Sequence, residues 1–172
     1  MFVCHNVFPH ERFPFDRLLS RVTLKKGNYF IMHSKLDEKD LREINKNAQC
    51  VRTVIPIYNA FCIRGISKQD AREYLKIKPE DNVLLFLGFV REYKGLNYLI
   101  HAMQKISSEI SNIRLLVVGD FDNDKDYYID LIKKCGIEKI VNIVDGYIPD
   151  TEVELYFAAC DLDNGYGESL NP

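Results

Sequence analysis

Arg91 and Lys94 stand between two glycines, Gly88 and Gly95, in the stretch FLGFVREYKGLNYLI at residues 86–100. An apolar run ends at the first glycine, and apolar residues resume at helical spacing after the second. A glycine lets backbone N–H groups come close to an anion. A guanidinium forks onto phosphate oxygens, and an ammonium adds a point charge. A helix N-terminus aims partial positive charge at the same place. These features together suit a diphosphate and call for no metal ion. On spacing alone, a solvated charged loop between a strand and a helix is the first reading and the diphosphate site the second.

The surrounding pattern decides where this stretch sits. NVLLFLGFV (82–90) is a continuous apolar run, as expected of a strand covered on both faces. Leu96, Leu99, Ile100, Met103, Ile106 and Ile110 then form the stripe of an amphipathic helix. Further strands are predicted at 113–119 and 140–146. DYYIDLIKKCG reads as a helix from Asp126 stopped by Gly136, and DTEVELYFAAC as a helix capped by Asp150 or Thr151. Ser67 and Asp70 make a capping box before AREYLKI, and a last strand begins at DL. Alternating strands and helices demand a parallel sheet with right-handed crossovers. The fold class is therefore α/β, a Rossmann-like doubly wound sheet. Ligands bind such sheets beyond the carboxyl ends of the strands, where Gly88 lies.

The first part of the chain is predicted to hold a short strand in MFVCHN, a helix over 15–26 stopped by Gly27, and a strand in NYFIMHS. Ser34 with Asp37 and Glu38 marks the start of another helix, and CVRTVIPIYNAF reads as strand, turn and extended chain. A boundary near 58–66 divides the chain into 1–61 and 62–172.

Apolar residues make up 47% and charged residues 28% of the 172, which is ordinary globular composition. The net charge of −2 provides no global field for nucleic acid. It is uneven, with residues 1–60 at +4 and the remainder at −6. The five cysteines are scattered without a CxxC pair, so reduced thiols in a cytoplasmic protein are expected rather than a disulfide framework or a zinc site. No run is long enough to span a bilayer, and no basic-then-apolar leader opens the chain.

Other constellations are weaker. Asp122, Asp124 and Asp126 copy the start of a calcium loop, but Tyr127 and Lys133 stand where glycine and glutamate are needed. Cys4 and His5 are neighbours on a strand and face opposite ways, and Cys4, His5 and His10 lack a fourth metal ligand. GxGxxG and GxxxxGK[ST] are absent. Arg17, Arg21 and Lys25 form a basic helical stripe, read first as a solvated face and second as a dock for anionic lipid.

FLGFVREYKGLNYLIHAM resembles the phosphate-binding segment of retaining nucleotide-sugar glycosyltransferases of the GT-B architecture (the group 1, family 4 type). VCHNVFPHE, VIPIYNAF, IRLLVVGD and VDGYIPDTEVELYFAACDL are similar to further landmarks of that family, in its order. The resemblance implies that residues 1–61 are the end of an acceptor-side Rossmann-like domain with its linker, and 62–172 a donor-binding domain. It implies that Arg91 and Lys94 hold the donor diphosphate and stabilise the leaving group, that Gly88 lines the phosphates, and that His5 faces the reacting sugar. Tyr147 and Ile148, in DGYIP, match the loop whose backbone contacts the base. The family continues into a loop with two glutamates eight residues apart. Glu168 matches the first, and no second follows. The expectation is therefore a fragment with little activity of its own, from an enzyme moving a glycosyl unit from a nucleoside-diphosphate sugar to a hydroxyl of a saccharide or lipid-linked acceptor. Polysaccharide or glycolipid synthesis in the cytoplasm, with peripheral contact at the inner face of the membrane, is the setting implied. No cofactor, metal or nucleic acid is expected. The competing class is a non-catalytic nucleotide-binding or interaction module of the same fold.

Overall fold

The computed structural model describes residues 1–9, 11, 13–54, 64–122 and 124–163. The chain divides into two compact units, Met1–Ile57 and Tyr58–Pro172, a cut a few residues ahead of the 61/62 division read from the sequence.

The first unit runs β1 (Phe2–Cys4), α1 (Asp16–Lys25), β2 (Tyr29–Met32), α2 (Lys35–Ile44) and β3 (Gln49–Arg52). Its three strands lie parallel in the order β1-β2-β3, with Cys4 beside Met32 and Ile31 beside Val51. Cys4, Val7, Leu24, Phe30, Met32, Leu41 and Ala48 make its core. The Ser34 hydroxyl caps α2 by accepting from the Asp37 N–H at 3.0 Å, which satisfies one of the helix's orphan donors. Gly27 acts differently from the expected left-handed helix stop. Its φ is not positive. A Cβ there would lie 2.3 Å from the Phe30 ring and 2.9 Å from that of Phe2. Those rings stack with centroids 5.5 Å apart, so close packing is what demands the glycine. The Asn45 amide donates to the carbonyls of Leu24 and Gly27 and so closes the end of α1.

The second unit runs α3 (Lys68–Tyr74), β4 (Asn82–Leu87), a 3-10 turn (Glu92–Lys94) and α4 (Leu96–Glu109). It continues with β5 (Ile113–Gly119), α5 (Lys125–Cys135), β6 (Val141–Asp145), α6 (Asp150–Ala159) and β7 (Leu162–Asp163). All four strands are parallel, in the order β6-β5-β4-β7. The sheet is buried on both faces. Phe86, Leu115 and Val117 pack with Leu96, Ile100 and Met103 of α4 and Tyr128 and Ile132 of α5. Val83, Leu85, Leu116 and Val118 pack with Tyr156 of α6. Two covered faces explain the unbroken apolar run in β4. The chain steps outward from β4 to β5 and β6, then returns past β4 to β7, so strand order reverses beside β4.

Three helix ends differ from the sequence reading. Helix α4 ends at Glu109, so Ile110 is its cap rather than its last stripe residue. Helix α5 starts at Lys125 with Asp124 in the cap position. Helix α6 has Pro149 at the cap position and no side-chain cap, with Asp150 already helical. A carboxylate in the first turn still complements the helix dipole without capping an amide.

One residue joins the two ends of this unit. Asp161 accepts from the Val83 N–H at 2.7 Å, from Arg72 at 2.6 Å and from Lys68 at 2.5 Å. Its own N–H donates to the Val83 carbonyl. Burial opposes its ionisation, but Lys68, the Val83 amide and Arg72 outweigh it and hold the carboxyl below its ordinary range. The buried Arg72 guanidinium also donates to the carbonyls of Ala159 and Pro79.

Candidate functional site

The carboxyl ends of β4, β5 and β6 each finish in a glycine with positive φ: Gly88 (118°), Gly119 (142°) and Gly146 (125°). Gly119 is packed on Gly88. A Cβ on it would lie 2.0 Å from the Gly88 oxygen and 2.7 Å from its carbonyl carbon, which no side chain allows. The strand ends are also tied laterally. Gly88 N–H donates to Val118, Val90 N–H to Asp120, and Gly146 N–H to the Gly119 carbonyl, at 2.8–3.1 Å.

From Gly88 the chain makes the 3-10 turn and enters α4. The Lys94 N–H donates to the Arg91 carbonyl, and Gly95 N–H to that of Glu92. Gly95 takes a left-handed φ of 75° at the cap position of α4, with no side-chain cap and no acidic residue in the first turn. The turn folds Lys94 back over the strand end. Its Nζ lies 3.2 Å from where a Gly88 Cβ would be, so the missing side chain is the space the ammonium overlooks. Burial, and then the nearby Arg91 charge, lower the Lys94 pKa from its ordinary value. Arg91 forms an ion pair with Asp122 at 3.0 Å, and its guanidinium lies 6.0 Å from the Phe89 ring centroid. Asp122 takes a left-handed φ of 51°, and its N–H donates to the Asp120 carboxylate at 2.8 Å. Gly88, Arg91, Lys94 and the start of α4 thus converge at one end of β4, beside the point of strand reversal.

The remaining site candidates lie elsewhere. Tyr147 is exposed after β6, while Ile148 packs against the core beneath α6. Glu168 lies outside the described residues. His5 belongs to the first unit, at the end of β1. It stacks on His33 at the end of β2, with centroids 4.8 Å apart, and the His33 Nδ1 lies 3.2 Å from the Thr53 carbonyl oxygen. Cys4, by contrast, is buried in the core, and burial raises its pKa. Among the described residues, no group of three His, Cys, Asp or Glu side chains is placed to hold a metal ion.

Three residues stand at these places without having been singled out in the sequence, and a fourth, Asp122, reads there only as part of a weak calcium pattern. Gly119 and His33 close strand-like runs, a signal that marks the ligand edge of a parallel sheet. Asp122 could not be paired with Arg91 before β4 and β5 were known to be neighbours. Asn97, in the first turn of α4, carries a buried Oδ1 without a hydrogen-bond partner.

Residues 67–162 match the family model of glycosyl transferases group 1. Over 92 residues the chain is 33% identical to an uncharacterized glycosyltransferase of Methanocaldococcus jannaschii, covering 54% of this chain and 23% of that protein. It is 29% identical over 118 residues to a lipopolysaccharide 1,2-N-acetylglucosaminetransferase of Salmonella typhimurium, covering 62% of this chain and 30% of that one. The chain therefore spans less than a third of the length of these relatives. Solved structures share its fold, WaaG and HepE among them. WaaG, a glycosyltransferase involved in lipopolysaccharide biosynthesis, matches with a TM-score of 0.70 at 20% identity, over 94% of this chain and 51% of that one. Anabaena HepE in complex with UDP and glucose matches with a TM-score of 0.73 at 19% identity, over 94% and 44%. With more than half of its residues inside the family match, the chain belongs to the group 1 glycosyl transferases.

Proposed function

We propose that residues 64–163 carry the donor-diphosphate site of a retaining glycosyltransferase, which moves a glycosyl unit from a nucleoside-diphosphate sugar to a hydroxyl of a saccharide or lipid-linked acceptor in polysaccharide or glycolipid synthesis. One observation carries this reading: the Lys94 ammonium is folded over the side-chain-free space at Gly88, and its own protein surroundings disfavour its charge. A diphosphate placed there would relieve that penalty. Arg91 reaches the same edge, and the first turn of α4 offers amides with no competing carboxylate. As the glycosidic C–O bond breaks, negative charge builds on the departing diphosphate. Fixed cations aimed at that charge stabilise the transition state more than the ground state. The chemistry of this site calls for no metal. His5 is the candidate for the sugar, and the backbone of Tyr147 and Ile148 for the base. Family membership favours a transferase over a non-catalytic module.

Isothermal titration of UDP and GDP into the wild type, Arg91→Ala and Lys94→Ala tests the site. Each variant is expected to weaken binding about tenfold or more, the loss of a charge-assisted hydrogen bond. Equal affinity in all three proteins would remove the assigned roles.

A further inference from the structure

The edge that holds Gly88 and Lys94 continues across the sheet. Leu87 pairs with Val118, which brings Gly88 beside Gly119, and Gly119 pairs with Asp145 at the end of β6. Two residues earlier in each strand, Phe86, Val117 and Ile143 pack with α4 and α5. Side chains alternate along a strand, so Gly88, Gly119 and Asp145 face that same side. The two glycines leave a trough without side chains across two strand ends. Lys94 overlooks one end of it, and Asp145 is the first side chain at the other. Neighbouring strands lie about 4.8 Å apart, so Asp145 stands about 10 Å from Gly88. Asp145 is also joined to the start of α5. Its Oδ2 pairs with the Lys125 Nζ at 2.9 Å, and its Oδ1 accepts a long bond from the Phe121 N–H at 3.4 Å. The Lys125 hydrogen bond outweighs burial and holds the carboxyl below its ordinary range. Lys125 is 43% exposed and Asp145 33%, and an ion pair this open adds little stability. Both groups keep polar capacity toward solvent, because each carboxylate oxygen has a second lone pair and the ammonium has two further protons.

We propose that the Asp145–Lys125 pair reads the base of the donor nucleotide, and that this base is guanine. The inference rests on the diphosphate site at Gly88, Arg91 and Lys94. With the phosphates under Lys94, the ribosyl link carries the base along the trough to the end of β6. Guanine presents there, in order, a carbonyl oxygen, the N1–H and the exocyclic amine. The Lys125 ammonium donates to the carbonyl, and the Asp145 carboxylate accepts from the two N–H donors in a bidentate match. Uracil sets one N–H between two carbonyl oxygens, so its second carbonyl would meet a carboxylate oxygen. Adenine and cytosine set one amine beside a ring nitrogen, and that lone pair would meet the carboxylate as well. Of these four bases guanine alone offers adjacent donors to an acceptor-only group.

The test is isothermal titration of GDP, inosine diphosphate and UDP into the full chain, as wild type, Asp145→Asn and Lys94→Ala. The wild type should bind GDP about tenfold or more tighter than UDP, the worth of a hydrogen bond to a charged acceptor. Inosine diphosphate lacks the 2-amino group and should fall between them, a comparison that needs no variant. The carboxamide of Asp145→Asn turns one acceptor into a donor that suits the second uracil carbonyl, so the preference for GDP should vanish or invert. Circular dichroism confirms that each variant folds. No binding of any of the three nucleotides overturns the diphosphate site and this inference together. Binding that is lost in Lys94→Ala but is equal for GDP and UDP overturns this inference alone. So does equal binding of GDP and inosine diphosphate, or a preference for GDP that persists in Asp145→Asn.

Discussion

Replacing Gly119 by alanine should do more damage than any other single methyl group in the second unit. The new Cβ would lie 2.0 Å from the Gly88 oxygen. Optimal contact for such atoms is about 3.5 Å, so the ends of β4 and β5 must part by about 1.5 Å. Both atoms belong to backbone, and no rotamer can absorb the overlap. Two lateral hydrogen bonds, Gly88 N–H to Val118 and Val90 N–H to Asp120, lie in the path of that displacement. Weakening them costs about 1 kcal/mol each. Forcing a side chain into the positive φ of 142° adds about 1–3 kcal/mol. The expected loss is about 3–5 kcal/mol, and Gly88 moves relative to Lys94. Gly146→Ala supplies the control. Its φ of 125° is similarly strained, but a Cβ there meets nothing within 4 Å. That variant should lose only the conformational part, about 1–3 kcal/mol. Urea unfolding of both variants measures the difference, and nucleotide titration of the folded proteins measures the effect on the site. The packing account fails if Gly119→Ala is no less stable than Gly146→Ala.

Two further outcomes are expected. Asp122→Asn should bind UDP about two- to fivefold more tightly than the wild type, because Arg91 no longer leaves a carboxylate to meet the ligand; unchanged or weaker affinity by calorimetry rejects this role for Asp122. Asp161→Asn should cost about 2 kcal/mol at pH 7, a figure reduced for a carboxylate that is a third exposed. Because the folded carboxyl titrates below its unfolded value, its contribution is whole above the ordinary carboxylate range and disappears as pH falls through the folded pKa. Denaturant midpoints should therefore converge for wild type and variant in acid, and a gap independent of pH would show that ionisation is not involved.

The second unit was largely legible because its strands are covered twice. A strand buried on both faces leaves an unbroken apolar run, and NVLLFLG and IRLLVVG needed no partner to be recognised. The glycines and cations around Gly88 were legible for a similar reason, since their chemistry is local and lies within one stretch. What escaped was chemistry made by neighbours distant in sequence. DNDKD reads as a weak calcium pattern until β5 lies beside β4 and brings Asp122 to Arg91. Gly27 was read correctly as the end of a helix but for the wrong reason, because the stacked rings of Phe2 and Phe30 cannot be seen in a linear chain. His33 was passed over because its value comes from the strand that sets it against His5.

The knot at Asp161 constrains how this unit can be assembled. Its partners Lys68 and Arg72 come from the opening helix, and among the described residues Leu162 and Asp163 of β7 pair with Leu84 and Leu85 of β4. The ion pairs from the opening helix buttress the start of β7 where it meets β4. A shortened version lacking residues 64–79 should leave its last strand undocked, with the β4 side of the strand reversal bare even though the cation-bearing turn is intact.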